Sequence, residues 1–415
     1  MLSVAPQSQQ GNLHTQFATT KKTRIYTTAN TNLQNLHERL RRGAYRAKPS
    51  RRVYIPKADG RQRPLGIASL EDKLVQRAVV EVMNAIYEVD FLGFSYGFRP
   101  NRSQHDALDA LAYGIQTKKV NWVLDADIRG FFDALKHEWL MKFLGHRVAD
   151  KRLLRLIQKW LAAGVLEHGS WTASEQGSPQ GATVSPLLAN IYLHYVFDLW
   201  VHQWRKRHAT GNVIVVRYAD DFVVGFQKWE DAQRFYADLS ARVQKFGLEL
   251  HPEKTRVIEF GRFADQRRRE VGKGQPETFK FLGFTHICGK SKTNGFLLLR
   301  HTIPERMTAK LAEVKAELQT RRHHSIPEQG KWLGSVLRGY YAYHAVPTNV
   351  HALQAFLTQV ERHWLKALRR RGQRDRTNWA RMRILSKRWL PTPKILHPWP
   401  TPRFDARTRG RSPVR

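Results

Sequence analysis

Apolar positions along this chain follow two periods. The runs Val213-Ile214-Val215-Val216 and Phe222-Val223-Val224-Gly225-Phe226 flank the polar tip Arg217-Tyr218-Ala219-Asp220-Asp221. Two short apolar runs around such a tip predict the strands of a hairpin with both carboxylates at its turn. Asn121-Trp122-Val123-Leu124 predicts another buried strand, which runs into Asp125-Ala126-Asp127-Ile128-Arg129-Gly130-Phe131-Phe132-Asp133. Elsewhere the spacing is helical. Over Leu70 to Glu88, Leu74, Ala78, Val79, Val82, Met83 and Ile86 recur every three or four residues, with Glu71 and Asp72 near the start, where the helix dipole favours acids. The same reasoning predicts helices over 103–115, 135–144, 150–163, 185–205 and 229–246, and a short basic one over 33–42. Strands and helices alternating in this order predict a split βαβ sheet. Beyond Phe284 the pattern becomes helical alone, with apolar stripes over 306–322, 329–343 and 350–371 that predict three antiparallel helices.

Composition narrows the class. With 415 residues, 41% of them hydrophobic, the chain can build real cores in two or three domains. A formal net charge of +35 and a pI near 10.7 imply a polyanionic partner held by salt-sensitive phosphate contacts. A membrane is not expected: the longest apolar candidate, Pro186 to Trp204, is interrupted by Asn190, His194 and Asp198. Cys288 is the only cysteine, which excludes an internal disulfide and a cysteine-pair zinc module. The histidines are scattered and read as structural or solvent-facing, including His323-His324 and His286 near Cys288. Met1 to Thr20 is rich in Gln, Ser and Thr without an apolar stretch, so a secretory signal is not expected and a cytoplasmic, nucleoid-associated location is.

The carboxylates carry the chemistry. An isolated Asp-Asp pair is usually ordinary turn chemistry, but here a second buried strand also ends in acids beside a glycine. Crowded carboxylates repel unless a cation sits between them, and hard oxygen ligands suit Mg²⁺. Three acids from two strand ends match two-metal nucleotidyl transfer, with ions about 4 Å apart.

Seven motifs then occur in order: Arg63-Pro64-Leu65-Gly66-Ile67, Phe94-Ser95-Tyr96-Gly97-Phe98-Arg99-Pro100, the Asp125 to Asp133 segment, Gly177-Ser178-Pro179-Gln180-Gly181, Tyr218-Ala219-Asp220-Asp221, Leu250-His251-Pro252-Glu253-Lys254-Thr255 and Phe281-Leu282-Gly283-Phe284. Together they resemble the reverse transcriptases of group II intron-encoded proteins, from about Tyr45 to the C-terminus. The resemblance implies an α+β right-hand polymerase: a short N-terminal extension (1–44), fingers and palm with a split βαβ palm (45–295), an all-helical thumb or X domain (296–372) and a basic nucleic-acid-binding appendage (373–415). It lacks the Asp-Gly-Val-Thr element that family members usually carry in a longer N-terminal extension.

The resemblance also distributes roles. Asp127, Asp220 and Asp221 would hold two Mg²⁺ ions, with the Ile128 carbonyl as a further ligand and Asp125 a bystander on the same strand face. Phe132 would be the steric gate against a 2′-hydroxyl, while Phe131 is core. Lys57 and Arg63, on a hairpin with Asp59-Gly60 at its turn, would cover the triphosphate. Gln180 and Gly181 would pack on the nascent base pair, and Lys254 would protonate pyrophosphate. In the thumb, Lys331, Arg338, Tyr340, Tyr341 and Tyr343 would face RNA if basic and aromatic side chains share one side; an aromatic core under a solvated basic face is the alternative. The arginine-dense end, opening with Arg369-Arg370-Arg371, would lie on nucleic acid. No His-Asn-His pattern occurs, so an endonuclease domain is not expected.

The implied function is RNA-directed DNA polymerase of a group II intron, acting on an RNA template with a DNA primer and dNTPs, binding the intron RNA, assisting splicing, and meeting target DNA during mobility. Two other readings stay open: an RNA-binding splicing cofactor with an unused polymerase, and a domesticated reverse transcriptase in repair or defence.

Overall fold

The computed structural model describes residues 30–56, 62–167, 170–173, 176–178, 181–372 and 375–408. Its centre is a four-stranded sheet, β6-β7-β3-β8, built from β3 (Trp122–Asp127), β6 (Val213–Tyr218), β7 (Asp221–Phe226) and β8 (Arg256–Glu259). Every neighbour is antiparallel, so β3 and β6 run parallel with β7 between them, which is the split βαβ arrangement. Side chains alternate across this sheet. Leu124, Ala126, Phe222, Val224 and Phe226 enter one core, and Val123, Val216, Val223 and Ile258 enter another.

The first core is filled by α2 (Leu70–Tyr87), α5 (His137–Gly145), α6 (Lys151–Ala162), α7 (Ser185–Leu193) and α9 (Trp229–Lys245), with α1 (30–41) at its edge and the short α4 (Phe131–Ala134) opening after β3. The predicted helices over these residues are therefore present. Ser69 caps α2 by accepting from the Asp72 N–H, and Asp150 caps α6 through the Arg152 N–H. One difference lies in the helix expected over 185–205. It runs on to α8 (Leu199–Arg207), but with a π turn at His194–Asp198 that sequence periodicity does not register.

The fingers carry a sheet ordered β2-β1-β4-β5, from β1 (Ser50–Pro56), β2 (Gln62–Ile67), β4 (Val165–Glu167) and β5 (Ser170–Thr172). The β1–β2 hairpin is the one the sequence predicts.

The second core holds α3 (Gln104–Thr117) and a three-stranded sheet of β9 (Phe279–Phe281), β10 (Phe284–Lys290) and β11 (Phe296–Thr302) that hydrophobic patterning does not reveal. The reason is chemical. His286 and Arg300 face each other across β10 and β11 and are both buried, so polar residues occupy core positions and break the alternation. A short helix, α10 (Ala264–Glu270), lies between β8 and β9.

The thumb comprises α11 (Pro304–Thr320), α12 (Ile326–His344) and α13 (Val350–Arg369), as the apolar stripes predict. Within 373–415, the described residues form α14 (Trp379–Trp389), which buries Met382 in the thumb core, and α15 (Pro400–Thr408), which returns to the palm. There Phe404 stacks on Tyr113 of α3 with ring centroids 4.5 Å apart, and Arg403 bonds to Asp109. Asp109 also accepts from Arg300 Nη1 at 3.3 Å. Asp109→Ala is expected to cost about 3–5 kcal/mol of stability in urea unfolding, because it strands buried arginine charge. A loss under about 1 kcal/mol would show that water reaches these guanidinium groups.

Candidate active site

The acids of the two strand ends meet where β3 ends. Asp127 is the register partner of Asp221 on β7, so their side chains stand side by side on one sheet face, and Asp220 sits in the adjoining turn. Asp125, two residues back, shares that face and has Arg256 of β8 as its register partner. The acids are mutually frustrated. Burial, and then the charges of Asp220, Asp125 and Asp127, push the Asp221 carboxyl up from 3.8 to about 7. Burial likewise raises Asp125 to about 6 and moves Asp220 upward.

Among the described residues no three His, Cys, Asp or Glu side chains enclose a ready-made metal cage. One contact that opposes such a cage is a salt bridge: Lys254 Nζ lies 2.8 Å from Asp127 Oδ2 and neutralises it directly. The donor set nevertheless fits Mg²⁺, since it comprises carboxylates whose negative forms need a cation. The peptide groups agree. His251 N–H donates to the Asp127 carbonyl at 2.7 Å and Arg129 N–H to the Glu249 carbonyl at 2.8 Å. The Ile128 carbonyl thus points the other way, toward the hairpin bearing Asp220 and Asp221.

A titration checks this frustration. In metal-free protein, folding raises the Asp221 pKa from 3.8 to about 7, so this group's contribution to stability is present at acid pH and is lost as pH climbs through that window. Mg²⁺ is expected to raise Tm more at about pH 8 than at about pH 5, read by differential scanning fluorimetry. Equal shifts at both pH values would count against the site.

Arginines act on these acids. Arg63 on β2 is near enough for its charge to oppose the rise at Asp220, and Arg306 on α11 acts the same way on Asp221. Phe131 is buried in the first core, as expected, and Phe132 packs edge-on against it with centroids 5.4 Å apart, half-buried. Gly181 has φ +112°, and a Cβ there would stand 3.0 Å from the Gly66 carbonyl, so the Gly-rich motif lies against β2 as only glycine allows. Lys57 and Gln180 lie outside the described residues.

In the thumb the two side-chain classes separate. Lys331 and Arg338 are exposed, whereas Tyr340 and Tyr341 are buried and Tyr340 stacks on Phe356 at 3.7 Å. Tyr343 donates to the Leu282 carbonyl at 2.7 Å, tying α12 to the Phe281-Leu282-Gly283-Phe284 turn. The tyrosines are thus core and brace, for their rings are more stably placed out of water than on a solvated face. Arg369 and Arg370 are exposed at the end of α13; Arg369 Nε donates to the Thr377 carbonyl at 2.7 Å, and Arg371 to that of His324.

Residues 55–286 match the family model described as reverse transcriptase (RNA-dependent DNA polymerase). The chain belongs to the reverse transcriptase family. It falls with the group II intron-encoded reverse transcriptases and maturases of that family. Protein YkfC of Escherichia coli (strain K12) is 38% identical over 221 residues, covering 46% of this chain and 58% of that protein. The group II intron-encoded protein LtrA of Lactococcus lactis subsp. cremoris is 28% identical over 406 residues, covering 81% and 67%. A 91 kDa protein in the cob intron of Schizosaccharomyces pombe is 29% identical over 377 residues, covering 75% and 45%. The chain therefore spans between about half and two thirds of the length of these relatives.

Sequence motifs assign no role to three residues that this reverse transcriptase fold brings to the site. Arg306 carries no local signal, because its charge reaches Asp221 only once α11 packs beside the sheet. Gly97 lies inside a recognised motif and Arg217 directly before one, yet their function is steric and hydrogen-bonding. Arg217 Nη1 donates to the Ala219 carbonyl at 2.8 Å, and Gly97 leaves room for the Ala219 amide, which a Cβ would approach to 2.3 Å.

Proposed function

We propose that this protein is an RNA-directed DNA polymerase that extends a DNA primer on an RNA template, and that it also binds group II intron RNA and assists its splicing. The observation that carries this reading is the convergence of Asp127 and Asp221 across paired strands, with Asp220 in the adjoining turn. Two bound Mg²⁺ would activate the primer 3′-hydroxyl and neutralise charge at the α-phosphate and pyrophosphate. Asp127, Asp220, Asp221 and the Ile128 carbonyl are the groups to hold them.

The remaining residues position and select. Arg63, with Lys57, covers the triphosphate from the fingers as a charge-assisted donor. Lys254, exposed and already paired with Asp127, stands ready to release that carboxylate and to hand a proton to pyrophosphate. Phe132 excludes a 2′-hydroxyl. The exposed Lys331, Arg338, Arg369 and Arg370 bind RNA through its backbone and shape, because side chains cannot read the deep A-form groove. Target DNA shares the same basic surface, and the charge of +35 suits a nucleoid-associated cytoplasmic protein.

The deciding experiment is Mg²⁺-dependent primer extension on an RNA template. Incorporation of dNTPs well above NTPs is expected, with Phe132→Ala narrowing that preference by at least about tenfold, the value of one lost steric contact of about 1.4 kcal/mol. RNA binding and splicing assistance without incorporation would instead favour a cofactor whose polymerase is unused.

A further inference from the structure

The turn that carries Asp220 and Asp221 is strained, and a buried network is arranged to hold it. Strands β6 and β7 pair as far as Tyr218 and Asp221, so Ala219 and Asp220 form a two-residue connection. Ala219 has φ +59°, whereas Asp220 stays outside the left-handed region. A positive φ at the first of two central residues belongs to hairpin turns in which glycine is preferred. Here the residue has a Cβ, so the conformation persists only if its surroundings impose it.

Arg217 supplies that constraint. Its guanidinium is fully buried and uses all five N–H donors. Nε donates to Asp198 Oδ1 at 2.7 Å and Nη2 to Asp198 Oδ2 at 2.5 Å. Nη2 also donates to Ser95 Oγ at 2.7 Å. Nη1 donates to Asn190 Oδ1 at 3.1 Å and to the Ala219 carbonyl at 2.8 Å. Asn190 in turn donates from Nδ2 to the Gly97 carbonyl at 2.6 Å, and the Gly97 Cα faces the Ala219 amide. Ala219 is therefore gripped at its carbonyl by Arg217 and walled at its amide by Gly97.

Asp198 can reach Arg217 because of the π turn. The Leu199 N–H donates to the His194 carbonyl, an i to i+5 bond that inserts one extra residue and rotates the succeeding helix by about 100°. The inserted turn brings a carboxylate, otherwise misplaced in an apolar helix, onto the guanidinium that holds the Ala219 carbonyl.

We propose that Asp198, acting through Arg217, is a positioning residue that holds Ala219 in its left-handed conformation and thereby sets the metal affinity of Asp220 and Asp221. This rests on the polymerase reading only in taking those acids as metal ligands. If the brace exists to hold strain, removing the strain must make the brace dispensable. A glycine at 219 adopts the same φ without steric cost.

The test uses the full chain without nucleotide, and Mn²⁺ as the probe, followed by electron paramagnetic resonance of the free ion. Asp198→Asn keeps the shape but removes the charge, and should weaken Mn²⁺ binding by about tenfold or more, the scale on which partners of metal ligands act. In an Ala219→Gly background the same change should weaken it by less than about threefold. Equal losses in both backgrounds, or no loss in either, would overturn the proposal. Should Asp198→Asn not fold, Ser95→Ala removes a single acceptor from the same guanidinium and should give a smaller loss that Ala219→Gly again erases; an undiminished loss, or none, overturns the proposal equally. Asp127→Asn separates the two readings. Loss of Mn²⁺ binding there without the Asp198–Ala219 coupling refutes the brace alone, whereas unchanged binding in Asp127→Asn refutes the metal site and the brace with it.

Discussion

Replacing Asp220 with alanine is expected to lower primer extension by at least about a thousandfold while leaving binding of structured RNA, and with it splicing assistance, within a small factor of wild type. The size follows from the role. A metal-held carboxylate contributes several kcal/mol to stabilising developing charge, and about 4 kcal/mol is a thousandfold in rate. Folding should not suffer. Asp220 is half-buried in a tight turn, burial already raises its carboxyl, and its neighbours at 221 and 127 are also acidic, so deleting one negative charge relieves repulsion. The variant's Tm should thus equal or exceed that of the parent in the absence of Mg²⁺. Single-nucleotide incorporation on a primed RNA template, read beside a filter-binding assay with intron RNA, separates the two activities. Near-normal incorporation would refute the placement of the metal ligands.

Gly97→Ala should be nearly as damaging, through geometry instead of charge. The added methyl would lie 2.3 Å from the Ala219 amide nitrogen and 2.9 Å from the Tyr218 carbonyl carbon, both backbone atoms that cannot swing aside as a side chain can. Either the Tyr96–Gly97 segment or the hairpin must move. Tyr96 N–H donates to the Arg217 carbonyl at 2.8 Å and Arg217 N–H to the Phe94 carbonyl at 2.9 Å, so the two segments are laced together and the displacement passes to Asp220 and Asp221. A shift of about 1 Å at a reacting centre costs about a hundredfold. Primer extension is expected to fall by about that factor, with overpacking lowering stability by about 1–3 kcal/mol in denaturant titration. Turnover within threefold of wild type would mean that the turn is softer than its packing implies.

Both substitutions sit in motifs legible in the sequence, but legible in different ways. The acids at 127, 220 and 221 stand out because two apolar runs ending in carboxylates leave few chemical uses. The hairpin β6–β7, the strand β3 and the helices of fingers, palm and thumb follow local periodicity, and the β1–β2 hairpin follows its Asp59-Gly60 turn signal. Gly97, by contrast, is only a small residue in a motif until the hairpin is laid against it. The sheet of β9, β10 and β11 is hidden for the related reason that His286 and Arg300 fill its inward positions, and the burial of Tyr340 and Tyr341 depends on which side of α12 meets α13.

Asn190 and Asp198 mark the boundary between the two kinds of information. Along the chain they are interruptions in an apolar stretch, sufficient to argue against a membrane segment, and among the described residues no helix is long and apolar enough to span one. In three dimensions they are the partners of Arg217, Asn190 from α7 and Asp198 from the π turn that follows it. Periodicity and residue chemistry are local properties, so the chain's elements, its charge and its candidate acids can be read in one dimension. Which buried polar groups satisfy one another depends on contacts between residues tens to hundreds of positions apart, and those exist only once the sheet, the helices and the strained turn have packed together.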